Sequence, residues 1–338
     1  MMKEKPFAPI LLVLLTAVCA AAAPLEVVGG LDAFLEKFPD AAEIYFQTKD
    51  PEGVGFWTIA TPSGEMAPVG ILGRSMDGVA STGLLVHEGP DPDGVEDIFF
   101  ERAGEAPVSF GGPMRDLNPG VSPDGLVVFA TETEPDRFDL ALWDAGAGMR
   151  RLDLGCGDET DPAILCAPED GPAVVVFQGH VGGDFQLYYA VLGSGDEIIR
   201  VERLLAFPGQ AFSPDVLNPR PDRAPEDGDA FPLAFHSLGD DDQRDLYLAE
   251  VTFHGDFADP EDIRLTADEP ERLAISPADD KYPELYRDSG GTLWCLFASF
   301  RDGDYDLYAL DTGTREIYQL TDLPGTQTAP YVHPLAED

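Results

Sequence analysis

Lysine is nearly absent from this sequence. Five lysines stand against 39 aspartates in 338 residues, and Lys+Arg 21 against Asp+Glu 63 leaves a formal net charge of −42. A chain this acidic repels phosphate backbones and anionic headgroups, which excludes nucleic acid as a partner. Cysteine is scarce as well, and the four that occur, Cys19, Cys156, Cys166 and Cys295, show no zinc-type spacing with each other or with histidine. The five histidines, His87, His180, His236, His254 and His333, are scattered, with no H-E-x-x-H pair. No G-x-S-x-G pentapeptide is present, so the nucleophile elbow of a serine hydrolase is missing. Ser122, within Gly120-Val121-Ser122-Pro123-Asp124-Gly125, reads as a turn serine. Past the N-terminus there is no apolar run long enough to span a membrane.

What is present is turn-forming and apolar. Hydrophobic residues make up 44% of the chain, with Gly 35 and Pro 30, which indicates a real core cut into many short segments and argues against long helices. Residues 1–22 read as a secretory signal: Lys3 and Lys5, an apolar run from Ile10 to Val18, then Cys19 and four alanines, with processing expected after Ala20, Ala21 or Ala22. Thr16-Ala17-Val18 before Cys19 is a poor lipoprotein box. The mature protein is therefore expected to be periplasmic or extracellular, without a membrane span. In that oxidising setting Cys156 and Cys166 are either a short-loop disulfide or two buried thiols, and Cys295, in Leu293-Trp294-Cys295-Leu296-Phe297, is a core residue.

A recurring block organises the rest. Apolar strands at Thr82–His87, Leu126–Thr131, Ala173–Gln178, Phe231–Ser237 and Leu293–Ser299 are each followed by a Gly/Asp turn and a second strand. Those second strands open at Asp97, Asp139, Gln186, Asp245 and Asp306, which are 42, 47, 59 and 61 residues apart. A weaker copy lies at Glu43–Thr48 and Phe56–Ala60. Outer runs follow at Glu197–Leu205, Asp262–Thr266 and Glu316–Thr321. Short Pro-bearing strands precede at Asn118-Pro119, Asp161-Pro162, Ser213-Pro214 and Tyr282-Pro283. Four short strands at this period describe a propeller blade.

The expected fold is all-β: a six-bladed β-propeller of four-stranded blades over residues 40–338, the C-terminal strand Ala329–Pro334 closing the N-terminal blade. Five or seven blades remain open, because the first strand of unit two is indistinct between Val69 and Val79. Residues 23–39, with Leu31, Phe34, Leu35 and Phe38 at helical spacing, are expected to add a short helix. The long spacings hold Asn218–Asp229 and His254–Glu261, read as surface loops.

Val121-Ser122-Pro123-Asp124-Gly125 before an apolar strand, and Ser299-Phe300-Arg301-Asp302-Gly303-Asp304-Tyr305-Asp306-Leu307-Tyr308 before Leu320-Thr321, resemble the TolB-like, WD-repeat-like β-propeller repeat of bacterial envelope proteins. The resemblance covers residues 40–334. It implies an exported binding scaffold; such propellers also accompany prolyl-oligopeptidase-type enzymes, whose catalytic module is not found here. Residues 23–39 leave no room for the N-terminal α/β domain of TolB itself, which sets a literal Tol-complex role apart.

Two groups of residues carry chemistry. Asn118, Asp161, Glu284, Tyr331 and His333 fall on innermost strands, where polar groups converge on an axial funnel and either bind a ligand or satisfy one another. Aspartates in Asp91-Pro92-Asp93-Gly94, in Asp240-Asp241-Asp242 and above all at Asp302, Asp304 and Asp306 offer the hard oxygen ligands of calcium, or cap their own turns. The functional expectation is a monomeric, non-enzymatic scaffold for an envelope protein partner, with no cofactor unless calcium, and with Phe300 and Tyr305 as contact anchors or inter-blade packing. The alternative is a hydrolase or lyase acting on a carbohydrate or lactone at the funnel, and a third is an accessory propeller to a separately encoded peptidase. An evenly acidic, Lys-poor surface is also consistent with solubility at high ionic strength.

Overall fold

The computed structural model describes residues 25–335 except 51–52, 71–75, 80–83, 103–106, 110–112, 123–124, 145–147, 169–170, 194–196, 206, 219–222, 239–242 and 275–276. The expected signal at 1–22 lies outside these residues.

Six antiparallel sheets follow one another around an axis, each a blade of four strands running from the axis outward. Blade four shows the plan with Glu159–Cys166 innermost, then Ala173–Val181, Asp184–Leu192 and Ile198–Arg203. Its second strand begins Ala-Val-Val-Val-Phe, and the first seven residues are buried because a neighbouring blade covers each face of the sheet. Outermost strands are wet, as in Gly148–Arg151 of blade three, where all four residues are exposed. The core is thus a series of inter-blade layers. Leu187, Tyr189 and Val191 meet Phe231, Leu233 and Phe235 between blades four and five, while Phe177 and Leu192 meet Leu140 and Leu142 between three and four.

The ring closes as the chain end foretold. Thr326–Pro334 is the innermost strand of blade one and pairs along Ala42–Asp50, with Ile44 opposite Val332 and Lys49 opposite Thr326. The indistinct strand of unit two is Met76–Val79, paired with Leu84–Pro90. It had no proline to mark it.

The other five innermost strands share a feature set by their X-Pro pairs. Asn118, Asp161, Ser213, Tyr282 and Ala329 have φ of 51°, 48°, 45°, 54° and 49°, and the ladder slips a residue at each. The left-handed region disfavours side chains, and five dissimilar residues adopt it. The repeat, and not the residue, imposes this bulge, which turns the strand toward the axis.

The N-terminal segment differs from the expected lone helix. Val27–Gly29 is a strand, pairing in parallel with Ile317–Gln319 as a fifth strand on blade six, and the helix is confined to Leu31–Leu35. Phe34 and Phe38 are buried against Trp294, and Phe34 meets its indole edge-on at 5.2 Å. Asp40 fastens the segment by accepting the Tyr286 hydroxyl at 2.6 Å and the Ser289 amide at 3.1 Å. Cys156, Cys166 and Cys295 are all free and buried. Cys156 packs in the layer between blades three and four and Cys166 in that between four and five, so the sheet of blade four separates them.

Candidate functional site

The five bulges and Met76-Asp77 surround an axial channel of about 730 Å³. Asp77, Glu88, Asp161, Asp215 and Glu284 line it together with Gln47, Asn118, Ser213, Tyr282, Thr328 and Tyr331, and no Lys, Arg or His is among the described residues of its wall. Burial raises Asp161 to about 6 and holds Asp215 above the ordinary carboxylate range. Glu284 rises well above its usual value, through burial first and then the like charges of Asp215 and Asp77.

These groups also join the blades. Where the residue after the proline, or its counterpart, is acidic, its carboxylate accepts a backbone N–H from the next blade. Asp215 takes Leu285 N at 2.5 Å, Glu284 takes Val332 N at 3.3 Å, and Asp77 takes Val121 N at 2.7 Å. A second tier comes from the second strands. Glu88 accepts Asn118 N at 3.3 Å, Gln178 accepts Ser213 N at 3.0 Å, and His236 Nδ1 accepts Tyr282 N at 3.4 Å. The bulges free these amides from their own ladders, and the neighbouring blade satisfies them. The positions after the proline in blades three and four are Gly120 and Ala163, which offer no carboxylate for such a latch.

Of the residues singled out in the sequence, Asn118, Asp161, Glu284 and Tyr331 come together on this wall, and Asn118 Nδ2 donates to Asp161 Oδ1 at 2.7 Å. His333 lies on the innermost strand of blade one but does not line the channel; its ring faces Tyr45 edge-on at 6.3 Å and its Nδ1 lies 3.4 Å from the Tyr331 hydroxyl. Asp77, Glu88 and Asp215 were missed. Asp215 follows Pro214 as Glu284 follows Pro283, a signal that aligning the X-Pro pairs would have exposed.

Asp302 and Asp306 are each engaged by other side chains, and burial first, then the like charges of Asp304, Asp322 and Asp302, raise Asp306 to about 6. Asp302 accepts the Tyr308 hydroxyl at 2.5 Å, while Asp306 faces Gln319 Nε2 and Thr321 Oγ1, each at 3.4 Å. Asp91 caps its own turn, accepting Asp93 N at 2.8 Å and Val95 N at 2.9 Å. The run at 240–242 lies outside the described residues. Among the described residues no group of three or more His, Cys, Asp or Glu is placed to hold a metal ion.

A second surface adjoins the channel, on the rim where second and third strands join. Aromatic rings run across blades four to six in sequence. Phe185 meets Phe212 at 5.3 Å, Phe212 stacks on His236 at 5.4 Å, and His236 meets Tyr282 edge-on at 5.7 Å. Lys281 Nζ lies 5.0 Å from the Tyr282 centroid and 3.7 Å from that of Tyr305, which packs on Phe300 at 5.1 Å. Tyr282 and Phe300 are 38% and 45% exposed, so the belt is open to solvent on blade six.

The fold is that of the TolB propellers. At a TM-score of 0.63 and 16% identity, 89% of the chain overlays 69% of TolB from Acinetobacter baumannii. At a TM-score of 0.53 and 15% identity, 88% overlays 99% of a putative TolB from Agrobacterium tumefaciens. A looser likeness, TM-score 0.48 and 11% identity, relates 85% of the chain to 84% of a periplasmic gluconolactonase from Pseudomonas aeruginosa. No protein-family model and no curated protein sequence matches the chain. At these identities the TolB-like likeness is one of architecture.

Proposed function

We propose that the protein is an exported, monomeric propeller scaffold that binds an envelope protein partner across the aromatic rim of blades four to six. The observation that carries this reading is the belt from Phe185 to Phe300, with Tyr282 and Phe300 left open beside the channel mouth. Rigid aromatic side chains bury much area for little lost freedom, which makes them the usual anchors of protein contacts. The channel carboxylates serve mainly to join blades. Capture from envelope extract tests the reading, using the mature protein and Phe300→Asp side by side, with and without calcium. One protein retained stoichiometrically by the parent and lost with Phe300→Asp supports it; equal retention by both, or by neither, counts against it. Retention only with calcium would assign a metal to the aspartate turns.

One observation favours a second reading. Two neighbouring wall carboxyls with raised pKa values, Asp215 and Glu284, are the makings of a general acid, as the chemistry of a lactone or glycoside hydrolase or a lyase requires. Turnover of a lactone or glycoside by the parent that Glu284→Gln abolishes would establish it.

A further inference from the structure

We propose that a pocket on the rim between blades four and five binds a small carboxylate that also bears a hydroxyl or ammonium group, with Arg203 taking the carboxylate. The site uses none of the belt's rings and stands apart from the rim reading.

The repeat couples two positions within a blade, one near the start of the third strand and one on the fourth strand, opposite the residue two places further along. On the fourth strands Arg151 stands opposite Ala141, Arg203 opposite Tyr188, Arg272 opposite Tyr247 and Gln319 opposite Tyr308. Two places before those partners lie Asp139, Gln186, Asp245 and Asp306. In blades three and five the couple is an ion pair, Arg151 with Asp139 and Arg272 with Asp245. In blade six Gln319 Nε2 lies 3.4 Å from Asp306 Oδ2, an amide against an acid. Blade four keeps the arginine and loses the acid. Gln186, 6% exposed, donates to Gly209 O at 2.6 Å and accepts from Arg203 Nη2 at 2.5 Å, while Arg203 Nε donates to Leu205 O at 3.0 Å.

The Arg203 guanidinium is therefore held in place as in its sister blades but is not neutralised. Both its partners are uncharged, and its Nη1 forms no hydrogen bond among the described residues. It borders a pocket of about 400 Å³, within the span of small-molecule sites, about 300–1,000 Å³. Three further polar groups line this pocket with no hydrogen-bond partner among the described residues: the Gln210 amide, the Tyr188 hydroxyl and the Asp184 carboxylate. Asp184, Gln186 and Tyr188 alternate along Asp184–Leu192 and so share one face of the sheet. Phe207 closes the apolar side, fixed edge-on against Phe235 at 5.2 Å and Tyr247 at 4.8 Å.

These groups define the ligand. A fixed guanidinium without a counter-ion presents N–H donors in the geometry of a carboxylate, and pre-anchoring removes the ordering cost a free arginine would bear. Gln210 and Tyr188 supply neutral hydrogen bonds beside it. Asp184 accepts only from a donor and repels a second negative centre, as does the net charge of −42. A ligand with one carboxylate and an adjacent hydroxyl or ammonium group satisfies both ends, whereas a dicarboxylate or a phosphate does not.

The test is titration calorimetry of the full mature protein with three probes: glucuronate, a carboxylate with hydroxyls; alanine, a carboxylate with an ammonium group; and glucose, hydroxyls alone. Saturable binding of glucuronate or alanine, and none of glucose, is expected. Arg203→Gln and Gln210→Ala should each weaken it about tenfold, the cost of a lost charged or neutral hydrogen bond in a closed site. The Gln210 side chain bonds nothing in the protein, so this variant reads the site even if Arg203→Gln fails to fold. Gln186→Asp, which restores the acid of the sister blades, should abolish binding, and Phe300→Asp should bind as the parent does. A loss on Asp184→Asn that is larger for alanine than for glucuronate supports ammonium as the second group, and the reverse supports hydroxyl. No saturable heat from either carboxylate, glucose bound as tightly as glucuronate, or parent-like affinity in both Arg203→Gln and Gln210→Ala overturns the proposal.

Discussion

At the scale of single residues, the channel wall shows why the same repeat position is filled differently around the ring. Gly120 stands where blades five and six place Asp215 and Glu284, and a Cβ there would come 2.7 Å from the carbonyl oxygen of Pro162 in the next blade. That oxygen is backbone and cannot turn aside, so any side chain must push blades three and four apart. Gly120→Ala is expected to destabilise the protein by about 1–3 kcal/mol, the range of an overpacked core, read as a lower denaturation midpoint in urea. Asn118, Asp161, Glu284 and Tyr331 were legible as wall residues because prolines flag their strands. Asp77 was not, for want of a proline, and Glu88 was not because it reaches the axis from a second strand. His333 has the right strand and the same parity as Tyr331, but its ring packs edge-on against Tyr45 and does not line the channel, which only packing decides.

At the scale of elements, the period of the repeat and its Pro-marked inner strands were readable as a four-stranded blade, and the hairpins lie where the Gly/Asp turns put them. The N-terminal segment was half read. The spacing of Leu31, Phe34, Leu35 and Phe38 predicts a helix, whereas Val27–Gly29 before it is too short to show a periodicity and gains its conformation from the free edge of Ile317–Gln319. Its anchor is Phe34, fully buried against Phe38, Trp294 and Tyr318. Phe34→Ala is expected to cost about 3–5 kcal/mol by emptying that site, and equilibrium unfolding followed by tryptophan fluorescence would show it. An unchanged midpoint would mean that the segment is not part of the cooperative unit.

At the scale of the whole molecule, charge and closure dominate. A formal charge of −42 on a ring whose channel wall carries five carboxylates and no described cation builds a strong self-repulsion. Molar salt shortens the screening length to about 3 Å, so the melting temperature at constant pH is expected to rise by several degrees between dilute buffer and molar sodium chloride. Equal values in the two would remove the link between composition and ionic strength.

The sequence by itself determined the all-β class, the blade period and the clasp of first blade by last strand, because each rests on local patterns of turns, apolar runs and prolines; the count of six was settled only when Met76–Val79 paired with Leu84–Pro90. Tertiary structure alone decided which carboxyls meet. Whether an aspartate caps its own turn, as Asp91 does, or latches the next blade, as Asp215 does, depends on contacts between residues tens of positions apart. The ring supplies those contacts, and no periodicity records them.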